Sequence, residues 1–315
     1  MNERSLHGVI VLDKPGGWTS NRVMGRVGWL LGLGRRKGGK IGFLGTLDPL
    51  ATGVLPIFTG KATRLIPLFE GLEKTYRATI RLGESTDTFD SEGRVTRQRP
   101  LEGLTPERVE QAIRGFAGFR EQSAPPFSAV KQDGVASYRL ARQGKEVQRR
   151  VKKVHIRLIE PEKIELPEAS FRVTVSAGTY IRTLADDIGE ELDVGAHVTA
   201  LRRLDCGNLF TEEKSITLER LEELAGSMDR KDPLPDLGFI LNPVGFLREY
   251  SPLEVAGQQL DYILHGRAVA LAADGGMTPG ARAMALDTHG ALVAVGRLDS
   301  LPGGGLEFRP EKVLA

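Results

Sequence analysis

The sequence predicts an α+β protein in two parts: a large domain over residues 1–244 that mixes strands and helices, then a small β-barrel-like domain over residues 245–315. Three observations lead there. Segments 74–82 and 171–176 alternate apolar and polar side chains, the period of a half-buried strand. Segments near 19–31 and 105–116 carry apolar residues at helical spacing behind a Ser or Thr that can cap them. Beyond about residue 246 the chain becomes Gly-rich with short apolar runs, the texture of a small all-β module. A length of 315 residues also favours one large domain plus a smaller one.

In chain order, residues 8–12 read as a short buried strand ended by the turn from Lys14 to Gly17. Thr19 or Ser20 caps a helix whose stripe is Val23, Met24, Val27, Leu30 and Leu31, stopped by Gly32 and Gly34. Residues 61–66 read as a short helix ended before Pro67. In the strand at 74–82, Tyr76, Ala78, Ile80 and Leu82 share one face, so the residues alone make Tyr76 a core tyrosine. Thr105-Pro106 opens a helix with Val109, Ala112, Ile113 and Phe116 inward. Strands are expected at 127–131 and 151–159, with a helix at 138–142 between them. Phe171, Val173 and Val175 form the next inward face, and a helix carrying Leu184, Ile188 and Leu192 follows residues 179–182. Asn242-Pro243 opens a linker, and 267–271, 283–287 and 292–298 are the apolar runs of the second domain.

Composition excludes several classes. The apolar share of 40% and charged share of 27% are those of a globular protein. One cysteine, Cys206, allows neither an internal disulfide nor a thiolate metal cage, and the five histidines lack metal-ligand spacing. The acidic loop with Asp87, Asp90 and Glu92 departs from Ca²⁺-loop spacing and reads as solvated. Gly53 and Gly60-Lys61 imitate a phosphate loop, but six residues intervene where four are required and Ala62 takes the Ser/Thr position. No metal or cofactor is expected. The first apolar run is too short for a signal peptide or a membrane span, so a cytoplasmic location and no membrane partner are the expectation. A net charge of +2 does not announce nucleic acid, and its distribution matters more: Arg35, Arg36, Lys37 and Lys40 form one basic cluster, and Arg149, Arg150, Lys152 and Lys153 another, each by itself either a solvated face or a contact for RNA phosphates.

Residues 42–56, GFLGTLDPLATGVLP, hold a single acid, Asp48, among glycines and aliphatics. Pro49 stiffens the chain directly after it, so the carboxylate is presented on a rigid turn. By itself such an Asp-Pro is usually only a turn initiator.

This run resembles the catalytic motif of the TruB family of tRNA pseudouridine synthases. LDKPGGWTSNRV, KTYRATIRLGESTDTFDSEG, APPFSAVKQDG and GTYIRTLADDIG resemble that family's other signature segments in the same order. The resemblance implies a mixed, largely antiparallel central sheet flanked by helices, and a C-terminal PUA domain. It makes Asp48 the catalytic carboxylate, Arg182 its cationic partner, and Tyr76 the residue against the target base. Tyr180 and Leu201 line the nucleotide pocket. It further implies isomerisation of uridine 55 in the T arm of tRNA without a cofactor, the acceptor arm held through the C-terminal domain, and no obligate protein partner. Most relatives have His and Thr where Phe43 and Leu44 stand; Phe43 can stack where a base has left the loop, but cannot hydrogen-bond or carry charge.

The chemistry breaks the bond from uracil N1 to ribose C1′ and rejoins C1′ to C5, with no redox change. An ionised carboxylate can attack C1′ or C6 or assist proton loss at C2′, and the sequence does not choose among these. A uridine inside an RNA loop must first be everted, at a cost of a few kcal/mol. Two other readings share the motif: the catalytic subunit of an RNA-guided particle, whose Lys-rich tails are missing here, and a non-catalytic tRNA-folding chaperone.

Overall fold

A computed structural model describes residues 7–33, 39–125, 131–132, 135–136, 151–226, 238–271 and 276–314. The basic residues Arg35, Arg36, Lys37, Arg149 and Arg150, the helix expected at 138–142 and most of the strand expected at 127–131 lie outside the described residues.

The strands run, in chain order, β1 (Gly8–Lys14), β2 (Ile41–Phe43), β3 (Thr52–Thr59), β4 (Lys74–Leu82), β5 (Glu84–Thr86), β6 (Val95–Gln98), β7 (Gly118–Ser123), β8 (Lys131–Gln132), β9 (Val135–Ala136), β10 (Val151–Glu165), β11 (Glu168–Val175), β12 (Ala196–Cys206), β13 (Phe210–Thr211) and β14 (Ile216–Thr217). Among them, β14-β1-β3-β12-β4-β11-β10-β7 form the path of a central sheet, with β2 beside β3 and β13 beside β12. Pairing is parallel only at β1/β14 and β3/β12, so the sheet is mixed and largely antiparallel, as expected.

Four helices cover one face: α1 (Ser20–Leu30), then, beyond a short α2 (Ile66–Phe69), α3 (Pro106–Gly115), α4 (Ile181–Glu191) and α5 (Leu218–Gly226). Thr19 caps α1 and Thr105 caps α3, each accepting from a backbone N–H three residues on. Val23 and Val27, Val109 and Ile113, and Leu184 and Ile188 meet Ala78, Ile80, Phe171 and Val173 in one core. β1 is buried on both sides, with Ile10 and Leu12 in that core and Val9 and Val11 in a second one behind it. Burial on both faces is why it reads as a continuous apolar run.

The second core joins the two parts of the chain. Phe58, Phe69 and Phe210 pack with Phe246, the last pair stacked with ring centroids 4.6 Å apart. The segment expected as a linker is therefore packed: Asn242 caps a single helical turn at Pro243–Phe246, and Phe246 and Leu247 are buried. Beyond it a curled half-barrel sheet takes the order β15 (Ser251–Glu254), β17 (Arg282–Leu286), β18 (Leu292–Ser300), β19 (Leu306–Val313), β16 (Val269–Ala270), with a helix α6 (Gly257–Leu264) against it.

Local differences have local causes. Pro67 does not end the helix at 61–66; it stands in the first turn of α2, where a missing N–H costs nothing. β15 and β19 were not expected because each contains a proline, and Pro310 sits where the register with β18 shifts.

Candidate active site

Asp48 lies on the connection between β2 and β3, which pair with each other and so close the loop at its base. Pro49 follows, and Ala51 N–H donates to Asp48 O across 3.1 Å to complete the turn. The loop is clamped from outside. Ser20 Oγ accepts from Leu47 N and donates to Leu47 O, each at 2.9 Å, tying the start of α1 to the residue before Asp48. Gly17 N–H donates to Pro49 O at 2.9 Å. Lys14 is fully buried and gives its three N–H donors to Pro15 O, Trp18 O and Pro49 O. Burial lowers its pKa to about 8. Gly53 holds φ +96°, and a Cβ there would stand 2.2 Å from Arg203 O, so only glycine lets β3 approach β12 at this point.

Arg182, in the first turn of α4, is 5% exposed. Its Nε donates to Asp48 Oδ2 at 2.8 Å and its Nη1 to Thr88 O at 2.9 Å. The same Nη1 lies 3.5 Å from Asp90 Oδ2. Asp90 is 3% exposed and accepts from Thr88 Oγ1 and from the Glu92 N–H. The reading of the acidic loop as solvated is therefore corrected for Asp90, which turns inward because a buried cation is there to meet it; Glu92 does stay exposed. The guanidinium thus spans two carboxylates, of which only Asp48 keeps substantial exposure, 37% of its side chain.

A cavity of about 410 Å³ opens over Asp48. Phe43, Asp48, Tyr76, Tyr180, Arg182 and Leu201, all singled out from the sequence, line it together. Tyr76 and Leu201 come from adjacent strands, and a bulge in β12 between Val198 and Ala200 restores Leu201 to the inward face. Burial raises the Tyr76 pKa, against the opposing charge of Arg203, so the phenol keeps its proton at neutral pH. Tyr180 is fixed through its backbone: its N–H donates to Gln122 Oε1 at 2.7 Å, and Gln122 Nε2 donates to its carbonyl at 2.9 Å. Leu44 borders the same cavity as its neighbour, but its side chain is turned into the core. It is 1% exposed, within the aromatic core.

Sequence reasoning missed Lys14, Lys74, Asp90 and Arg203. A signal existed for two of them. Lys74 shares the inward parity of Tyr76, Ala78 and Ile80, and Arg203 that of Leu201, so alternation places both cations where a core residue is expected.

The mixed sheet with helices on one face is the pseudouridine synthase fold, and it carries an acid held by a buried arginine beneath an aromatic and an aliphatic wall. Residues 33–181 match the model of the TruB family pseudouridylate synthase N-terminal domain, and residues 182–247 that of the tRNA pseudouridylate synthase B C-terminal domain. A tRNA pseudouridine synthase B of Ralstonia pickettii is 40% identical over 99% of this chain and 95% of its own length. One of Geobacter sulfurreducens is 45% identical over 73% of each. Among solved structures, a Cbf5-Nop10-Gar1 complex includes a chain with a TM-score of 0.71 and 28% identity, covering 99% of this chain and 87% of that one. The chain belongs to the TruB family.

Proposed function

We propose that this protein converts uridine 55 in the T arm of tRNA to pseudouridine, in the cytoplasm and without a cofactor, using Asp48 on an everted nucleotide. Membership of the TruB family supports tRNA uridine isomerisation. The single observation that carries the catalytic assignment is the 2.8 Å contact from Arg182 to an otherwise accessible Asp48 inside the cavity. Attack at C1′ or C6 and proton removal at C2′ all begin from the ionised acid, and Arg182 holds that acid in place through a charge-assisted hydrogen bond. Tyr76, protonated, packs against the uracil ring and does not receive the C5 proton. Leu201 closes the other side of the slot, and Tyr180 contacts the nucleotide.

Residues 245–315 serve as a PUA-like RNA-binding domain for the acceptor arm. The shared aromatic core supports this, because it couples that domain directly to the strands behind the Asp48 loop. The test is to incubate the pure protein with an unmodified tRNA transcript and map pseudouridine. Stoichiometric product at position 55 alone is expected. Product only on addition of a guide RNA would overturn the reading, as would tight binding without any product.

A further inference from the structure

The cavity contains two buried cations that the isomerisation chemistry does not use. Lys74 is 7% exposed and Arg203 is 1% exposed, and both line the cavity around Gly45. A Cβ on Gly45 would stand 3.1 Å from Arg203 Nη1 and 3.5 Å from Lys74 Cε, so the two side chains converge on one glycine. Among the described residues neither forms an ion pair. Glu70 lines the same cavity but stands outside ion-pair range, and Asp48 is engaged by Arg182. Burial lowers the Lys74 pKa, and the nearby Arg203 charge lowers it further.

Donor counting separates this pair from a purely structural brace. Lys14 places all three ammonium donors on carbonyls. Lys74 places only two, on Glu70 O at 3.3 Å and Leu72 O at 2.6 Å. Arg203 spends Nε on Val54 O and Nη2 on Leu44 O and Gly45 O, and its guanidinium also meets the Tyr76 hydroxyl, so it adds charge to this wall while Lys74 holds the open donor. Two desolvated positive charges, one of them with an open donor, on the wall of a nucleotide-sized cavity are costly unless an anion completes them.

We propose that Lys74 and Arg203 form a phosphate subsite that grips one of the two phosphodiesters flanking the everted uridine. This rests on the reading of the cavity as the uridine site. The phosphate would satisfy the donor left open on Lys74, offset the neighbouring Arg203 charge and fix the ribose relative to Asp48.

The test uses a tRNA hairpin that the wild-type protein modifies, remade with a neutral methylphosphonate either 5′ or 3′ of the target uridine. Product from the unmodified hairpin checks the uridine-site reading separately. One of the two linkages is expected to weaken wild-type binding about tenfold. Lys74→Gln is expected to bind the unmodified hairpin about tenfold more weakly, to lose about 0.7 from the slope of log affinity against log salt, and to become indifferent to the methylphosphonate. Lys74→Arg should recover most of the loss. Unchanged wild-type affinity with both methylphosphonates overturns the proposal whether or not the variants fold, and so does an equal loss in wild type and Lys74→Gln.

Discussion

Arg182 is the buried member of its pair with Asp48: 6% of its side chain is exposed against 37% for the carboxylate it holds at 2.8 Å. The acid therefore faces the cavity while the cation is committed to the interior, where Asp90, 5% exposed, is its second anionic neighbour.

Asp48→Asn should abolish product while leaving tRNA affinity within about twofold, because the amide keeps the shape but cannot attack or take a proton. Arg182→Met should do more damage. It strands buried Asp90 without its cation, so a stability loss of about 3–5 kcal/mol and a fall in turnover of ~100-fold or more are expected. Arg182→Lys should rescue stability only in part, since one ammonium cannot reproduce the fork that reaches Asp48, Asp90 and Thr88 O. Denaturant unfolding and single-turnover pseudouridine formation measure the two effects; full activity in Arg182→Lys would refute the geometric argument.

Lys14 links the Asp48 loop to pH. Its pKa of about 8 in the folded chain is below the ordinary value of 10.5, so between those values the unfolded chain binds more protons and stability rises with pH. Lys14→Met deletes that rise along with three hydrogen bonds to carbonyls. The variant should be less stable at pH 7.5, and its unfolding free energy should lack the wild-type upward trend between pH 8 and 10. Parallel pH profiles for the two proteins would show that Lys14 does not carry the charge change.

Much of this could be read from the residues because the relevant signals are local or periodic. Glycines on either side and a proline directly after it put Asp48 on a stiff turn, the motif resemblance supplies its role, and the strands holding Tyr76 and Val173 alternate cleanly. What stayed hidden depends on contacts far apart in sequence. Asp90 reads as solvated until Arg182, from a distant helix, is placed 3.5 Å away. Asn242-Pro243 reads as a linker because its burial partners, Phe58 and Phe210, lie elsewhere in the chain. Proline-bearing β15 and β19 become strands only through pairing with neighbours that tolerate the missing N–H.

The shared aromatic core makes the C-terminal sheet part of one folding unit with the central sheet. Phe246→Ala removes a ring stacked 4.6 Å from Phe210, at a cost of about 3–5 kcal/mol. Wild type should unfold in a single transition by fluorescence and circular dichroism alike. In the variant the C-terminal sheet should melt first, giving two transitions, and acceptor-arm-dependent affinity should fall before pseudouridine formation in an isolated T-arm hairpin does. One unshifted transition would show the domains to be independent of this contact.

Phe43 and Leu44 are neighbours in the motif, and the structure gives their side chains different work. Leu44, 1% exposed in the aromatic core, needs to be apolar, so Leu44→Thr should destabilise by burying a hydroxyl among rings. Phe43 is half-buried on β2 opposite Ile57 and lines the cavity, so its ring is available to the RNA. With no charge and no donor, it can contribute only stacking, worth about 1–3 kcal/mol per base. Phe43→Ala should therefore weaken tRNA binding by about 5- to 100-fold, with the salt dependence of affinity unchanged because no phosphate contact is lost. Phe43→His should restore most of the affinity by offering another flat ring, whereas Phe43→Leu, similar in hydrophobicity but not planar, should not. Equilibrium binding at two salt concentrations separates these outcomes. Wild-type affinity and turnover in Phe43→Ala would show that the everted nucleotide leaves a gap this ring does not fill.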